Sequence, residues 1–208
     1  MIAIIDYGAG NLQSVEKAFR FIGADIEITK DAERLREAEG VVLPGVGAFG
    51  DSMASLKSSG LVHTIYDIVE EKKPFLGICL GLQMLFEESE ESPGVPGLGI
   101  LKGKIRRIPD TYGLKVPHIG WNSLELRRKD GLFAGLSGSP YVYFVHSYYL
   151  KAEEDEAVSS RAQYGVTIDA SVQKDRLFAT QFHPEKSGRA GLKMLQNFVA
   201  LTQKGTEQ

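Results

Sequence analysis

In the first half of the chain, short apolar runs alternate with stretches whose apolar residues recur at helical spacing. Residues 2–7 form one such run and predict a buried strand. Val15, Phe19 and Ile22, at i, i+4 and i+7, predict the next helix, capped by Asn11 and stopped by Gly23. The alternation continues with a strand at 24–29, a short helix at 31–39 and a strand at 40–43. A helix capped by Asp51 or Ser52 then ends at Gly60, and another covers about 63–71. A strand at 74–78 runs into Cys79, and Leu82, Leu85 and Phe86 mark the buried stripe of the helix behind it. Strand, helix, strand, helix at this pitch predicts a parallel sheet with helices on both faces.

The pattern changes after the loop at 92–97. Six apolar or alternating runs predict strands at 100–108, 116–127, 141–151, 157–163, 168–173 and 177–181. This block predicts antiparallel additions to the parallel core. A last helix starts near Ser187, with Leu192, Leu195 and Val199 expected on its inner face. The expectation is one α/β domain spanning residues 1–208, with no linker dividing it.

Composition narrows the class. The 24 Lys and Arg against 27 Asp and Glu leave a net charge of −3, without the basic footprint of a nucleic-acid binder. One cysteine excludes an internal disulfide. No apolar run approaches the ~18 residues of a membrane span, and the start lacks the basic region of a signal peptide. A cytoplasmic protein is expected. His63, His118, His146 and His183 are scattered in sequence, without metal-binding spacing, so no metal or cofactor is expected. The acidic runs at 87–91 and 153–156 read as solvated surface, and Lys102, Lys104, Arg106 and Arg107 as a wet strand face.

Three segments carry candidate chemistry. Gly77-Ile78-Cys79-Leu80-Gly81 follows an apolar strand and opens a helix, the pattern of a nucleophile elbow with cysteine as nucleophile. Such a turn lifts the side chain above the sheet. The flanking glycines let the backbone bend and leave room for a substrate, and helix N–H groups favour a thiolate. The N–H of Leu80 is then placed to bind an oxyanion. A lone buried structural cysteine is the alternative. In the second segment, Phe182-His183-Pro184-Glu185, Pro184 disfavours helix at His183. His183 and Glu185, two apart in extended chain, can converge as proton acceptor and orienting carboxylate. A strand-end histidine beside a solvated glutamate is the plainer alternative. The third segment runs from Pro44 through Gly45, Val46 and Gly47 to Asp51, and its N–H groups can bind a developing negative oxygen. His146 shares a strand face with Val142, Phe144 and Tyr148, and reads equally as a sheet residue or a functional one.

Together these segments resemble the class I, triad-type glutamine amidotransferases over nearly the whole chain. The order and spacing of the 44–47 loop, the 77–81 elbow with Gln83 behind it, and the His183–Glu185 pair all fit. The resemblance implies an α/β fold with a mainly parallel, flavodoxin-like sheet flanked by helices. It implies glutamine hydrolysis by Cys79, His183 and Glu185, with oxyanion donors from Leu80 and from Gly45, Val46 or Gly47. It places Gln83, His146, Ser147 and Tyr148 around bound glutamine. The segments at 6–11, 44–50, 117–122, 144–148 and 181–187 are similar to those family members that serve as the glutaminase half of a two-chain synthase. That finer likeness implies a separate (β/α)₈ cyclase subunit receiving ammonia through an interior passage. It assigns Asn11, Trp121 and Asn122 to the contact. The alternatives are a stand-alone cysteine amide hydrolase, an amidotransferase subunit for another acceptor, and a non-catalytic module on the same fold.

Overall fold

The computed structural model describes residues 1–110 and 113–203. Its central sheet has strand order β2-β1-β3-β4-β13-β12-β11-β8. The members β1 (Ile2–Ile5), β2 (Ile26–Thr29), β3 (Gly40–Gly45), β4 (Phe75–Cys79) and β13 (Leu177–Thr180) pair in parallel. Strands β1, β3, β4 and β13 are buried at every position, which is why they read as unbroken apolar runs rather than alternations. The helices α2 (Ala32–Glu37), α3 (Phe49–Ser58), α4 (Val62–Glu70) and α5 (Leu80–Met84) bring side chains to one face of the sheet. The helices α1 (Leu12–Phe21) and α6 (Gly188–Gln203) pack on the other.

The antiparallel additions are present as β8 (Glu125–Leu126), β11 (Val158–Gln163) and β12 (Thr167–Lys174). Two smaller sheets flank them, one of β5 (Glu88–Ser89), β6 (Gly103–Arg107) and β10 (Tyr148–Ala152), the other of β7 (His118–Ser123) and β9 (Tyr141–His146). The run at 177–181, expected within the antiparallel block, pairs antiparallel with β12 on one edge and parallel with β4 on the other, joining the two halves of the sheet. The expected single strand at 116–127 divides into β7 and β8, which join different sheets, and the run at 141–151 likewise divides at Ser147.

Helix ends differ from expectation for a physical reason. Helix α3 begins at Phe49, before the expected caps Asp51 and Ser52. Its free N–H groups are satisfied from far along the chain: Phe49 N–H donates to Glu91 Oε2 at 2.8 Å and Gly50 N–H to Ser92 Oγ at 3.0 Å. The 87–91 run is therefore more than solvated surface. Asn11 stands at the start of α1, but its side chain makes no capping hydrogen bond. Helix α6 is rotated from the expected face: Met194, Leu195 and Phe198 are buried, while Leu192 and Val199 are half-buried. The basic strand face pairs with the acidic run through Lys102–Glu87, Lys104–Glu88 and Arg106–Glu90. No helix among the described residues is long and apolar enough to cross a membrane.

The register places the site. Gly45 lies opposite Cys79, and Ile78 opposite Thr180. The carboxyl ends of β3, β4 and β13 thus finish level, and the segments leaving them meet at one edge, where open α/β sheets gather their ligands.

Candidate active site

Cys79 ends β4 with φ 56° and ψ −110°, a left-handed conformation that costs a non-glycine residue energy. Tight packing holds it there. A Cβ on Gly81 would stand 1.9 Å from the Leu43 carbonyl oxygen, one on Gly77 2.9 Å from the Gly81 oxygen, and one on Gly45 2.7 Å from the Gly81 nitrogen. None of the three glycines lines the cavity above. They let backbone press on backbone beneath the turn, rather than leaving room for a substrate as the sequence suggested. Helix α5 is only one turn long, so its contribution beside the sulfur is local N–H groups rather than a long dipole.

Above Cys79 is a cavity of about 390 Å³. Its lining includes Val46, Gly47, Cys79, Leu80, Gln83, His146, Ser147, Tyr148 and His183. Of the residues singled out in sequence for oxyanion binding or substrate contact, all but Gly45 are here. Gly45 lies below the elbow. Gly47 takes φ +95° with open space around it, so the loop's freedom lies at 46–47. The loop is held from behind: Tyr7 Oη donates to the Pro44 carbonyl at 3.0 Å and Ser52 Oγ to the Val46 carbonyl at 3.5 Å. Burial pushes the Tyr7 hydroxyl up to about 12, so it remains a donor at neutral pH.

His183 follows β13, and its Nδ1 meets Glu185 Oε1 at 2.7 Å. Both side chains are almost wholly buried, at 3% and 1% exposure, which excludes a solvated glutamate. Burial disfavours a charged ring, but the Cys79 sulfur and the Glu185 carboxylate outweigh it and push His183 up to about 10. Its Nε2 has no hydrogen-bond partner among the described residues. The backbone of His183 is fixed on both sides. Its N–H donates to the Tyr143 carbonyl at 2.9 Å, while Ser187 Oγ donates to its carbonyl at 2.6 Å and accepts from Tyr143 N–H at 2.9 Å. The sequence places Ser187 at a helix start and within the 181–187 segment but gives it no role toward His183; its place four residues after His183 was the available signal.

The histidines are less scattered than in sequence. Cross-strand register sets His118 opposite His146, with Nδ1 of the first 3.0 Å from Nε2 of the second. His146 Nδ1 lies 2.8 Å from the Tyr148 carbonyl, which can only accept, so this nitrogen carries the proton and Nε2 receives one from His118. Burial drives both rings down, His118 to about 4 and His146 to about 3, so both are neutral at pH 7. His63 is exposed on α4, away from this group. Among the described residues no cluster of three or more His, Cys, Asp or Glu is arranged to hold a metal ion.

Two residues that the sequence reading placed only within the 181–187 segment, with no role of their own, join the surroundings. Gln181, fully buried, places Nε2 3.9 Å from Cys79 Sγ, and its Oε1 accepts from Gln83 at 3.0 Å. Lys186 lines the cavity and lies 6.0 Å above the Tyr143 ring, which in turn meets Trp121 edge-on. Trp121 is 55% exposed and shares one face of the β7–β9 ribbon with Ile119 and Tyr141, at 59% and 62%. This apolar face therefore continues to the cavity's rim. Asn122 is engaged within the chain, donating to the Gln163 carbonyl and accepting from Ser123 N–H. Asn11 is half-buried at the start of α1.

A strained cysteine at a strand end, a buried His–Glu pair and a shared cavity at the carboxyl edge of a parallel sheet are the features of an α/β enzyme site. The chain belongs to the glutamine amidotransferase class-I family, whose model matches residues 3–201. Among its relatives, the protein named imidazole glycerol phosphate synthase subunit HisH from Methanothermobacter thermautotrophicus is 53% identical, covering 97% of this chain and 98% of that one. The subunit of the same name from Moorella thermoacetica is 50% identical, over 96% of this chain and 94% of its own. The fold is shared more widely. A crystal structure described as a glutamine amidotransferase superposes with TM-score 0.76 at 20% identity, over 98% of this chain and all of that one. PurLQS from Thermotoga maritima gives TM-score 0.76 at 20% identity, over 96% and 97%.

Proposed function

We propose that this chain is the glutaminase subunit of imidazole glycerol phosphate synthase. It hydrolyses glutamine to glutamate and ammonia and delivers the ammonia to a (β/α)₈ cyclase subunit. That subunit uses it to convert PRFAR to imidazole glycerol phosphate and AICAR in histidine biosynthesis. The observation that carries the chemistry is the convergence on one cavity of Cys79, at φ 56°, and the buried His183–Glu185 pair. Identity of about half over nearly full length to proteins named HisH supports the choice of synthase.

In the reaction, His183 takes the thiol proton and Cys79 sulfur attacks the carboxamide carbon of glutamine. The oxyanion is met by Leu80 N–H and by a second N–H from the 46–47 stretch, which lines the cavity where Gly45 does not. The imidazolium, held by Glu185, gives its proton to the departing nitrogen, and ammonia leaves a glutamyl thioester. Water then adds to the thioester while His183 takes its proton, and glutamate departs as the sulfur is released. Gln83 spends both amide hydrogens, on the Tyr148 carbonyl and on Gln181. Only its Oε1 remains to meet substrate, as an acceptor. The exposed Ile119–Trp121–Tyr141 face, beside the cavity rim, fits the contact with the cyclase.

The test combines the chain with a cyclase subunit and compares glutamine with ammonium salt as nitrogen source. Cys79→Ala should abolish glutamine-dependent synthesis and retain the ammonium route. Loss of both would assign Cys79 to structure alone. Glutaminase turnover should rise when the cyclase and its nucleotide are added; strong turnover indifferent to them would favour a stand-alone amide hydrolase.

A further inference from the structure

Gln181 is wholly buried, does not line the cavity, and has no part in the mechanism above. Its amide ends a hydrogen-bond chain whose direction is fixed at the other end. The Tyr148 carbonyl oxygen can only accept, so the Gln83 atom 3.0 Å from it is Nε2. The second hydrogen of that NH₂ group points to the Gln181 amide at 3.0 Å, where the recipient must be Oε1. Gln181 is left with Nε2 facing the other way, and there it meets Cys79 Sγ at 3.9 Å. No choice of amide orientation is free along this path.

We propose that Gln181 holds the reacting sulfur in its anionic form, donating one N–H to Cys79 from outside the cavity, with Gln83 and the Tyr148 carbonyl keeping that amide aimed. A donor facing a sulfur favours S⁻ over S–H. Helix α5, one turn long, supplies little aligned dipole of its own, so side-chain donors add to the local N–H groups beside the sulfur. The chain of amides also joins the Ser147–Tyr148 corner of the cavity to the nucleophile. His146 Nδ1 shares the same Tyr148 carbonyl, so both ends of the cavity are set by one peptide oxygen.

The inference rests on Cys79 being the nucleophile, and the test separates the two. The sequence holds one cysteine, so the mass gained on treating the chain with iodoacetamide reports Cys79 alone. Alkylation rates are measured from pH 5 to 9 on wild type, Gln181→Met, Gln181→Glu and Gln83→Met, beside glutaminase kcat and KM in the assembled synthase. Gln181→Met should slow alkylation at neutral pH about 3- to 10-fold and displace the rate curve to higher pH. Gln181→Glu should displace it further, since a carboxylate repels the thiolate, and Gln83→Met less, through a loosened Gln181. In the Gln181 variants kcat should fall with the alkylation rate while KM for glutamine stays within about 2-fold. Curves superimposed on wild type, or lost activity without displacement, would overturn the proposal and leave Gln181 a space-filler. If Gln181→Met does not fold, Gln181→Glu, which keeps the shape, decides. Retained glutaminase in Cys79→Ala would instead sink the nucleophile reading itself.

Discussion

On the Cys79 side of the cavity close backbone packing does the placing; on the His183 side hydrogen bonds do it, local ones from Glu185 and Ser187 and remote ones from Tyr143. The elbow is held by three glycines whose missing side chains admit neighbouring main chain, all within β3, β4 and α5. His183 is held by Tyr143 and Ser187, its ring by Glu185, and the facing His146 by His118 and the Tyr148 carbonyl. One side is a steric device that tolerates no added atom. The other is a polar device, sensitive to charge and pH. A site built this way separates rigid packing on one side from polar contacts on the other.

The comparison can be broken at several points, the largest effect first. Glu185→Gln keeps the shape of the orienting side chain but removes the charge that stabilises imidazolium. Glutamine turnover should fall roughly 10³- to 10⁴-fold. A loss below tenfold would mean that Glu185 is not the orienting group. On the steric side, Gly81→Ala puts a methyl carbon against the Leu43 carbonyl, at 1.9 Å before relaxation. It should cost at least about 3 kcal/mol in denaturant unfolding. A near-neutral Gly81→Ala would show that the elbow can relax.

The polar side should reveal itself through pH. His118 and His146 are neutral in the fold, whereas unfolding exposes rings that bind protons below about pH 6.5. Their contribution is therefore favourable above that pH and is lost as pH falls toward about 4 and 3. Between pH 6.5 and 5 the loss should be about 2 kcal/mol per ring. His183 works in the opposite direction: its stabilisation is complete below pH 6.5 and fades as pH rises through about 10. Urea unfolding at pH 7.5 and 5 measures the first window, and His118→Phe should shrink it. The smallest expected effect is a control. Lys104→Ala breaks the exposed pair with Glu88, neither of which lines the cavity, and should leave the denaturation midpoint unchanged within error.

Much of this was legible in sequence, and the parts that were not share a cause. Glycine at 77 and 81 around Cys79 announces a tight strand-to-helix turn because only local geometry is involved. The His183-Pro184-Glu185 spacing likewise brings two side chains together without help from elsewhere. Helix α3 shows the opposite case: its N–H groups were assigned to Asp51 or Ser52 nearby, yet Glu91 and Ser92 take them from 42 residues away. The face of α6 was misplaced by a small rotation, because Met194 and Phe198 compete with Leu192 and Val199 for the same core and packing chooses. Strand 177–181 pairs antiparallel with β12 as its block predicts, but sheet order alone makes its other edge the parallel partner of β4.

The chain's own letters determined the alternation of strands and helices, the elbow cysteine and the His–Glu pair, since dihedral preference, apolar period and i, i+2 spacing act over a few residues. Tertiary structure alone decided that Gln181 reaches the sulfur, that His118 and His146 share a proton-directed contact, and that Gly45 sits beneath the turn rather than beside the cavity. A hydrogen bond between remote segments depends on strand register and sheet order. Those are settled by the burial of the whole core, not by the residues that make the bond.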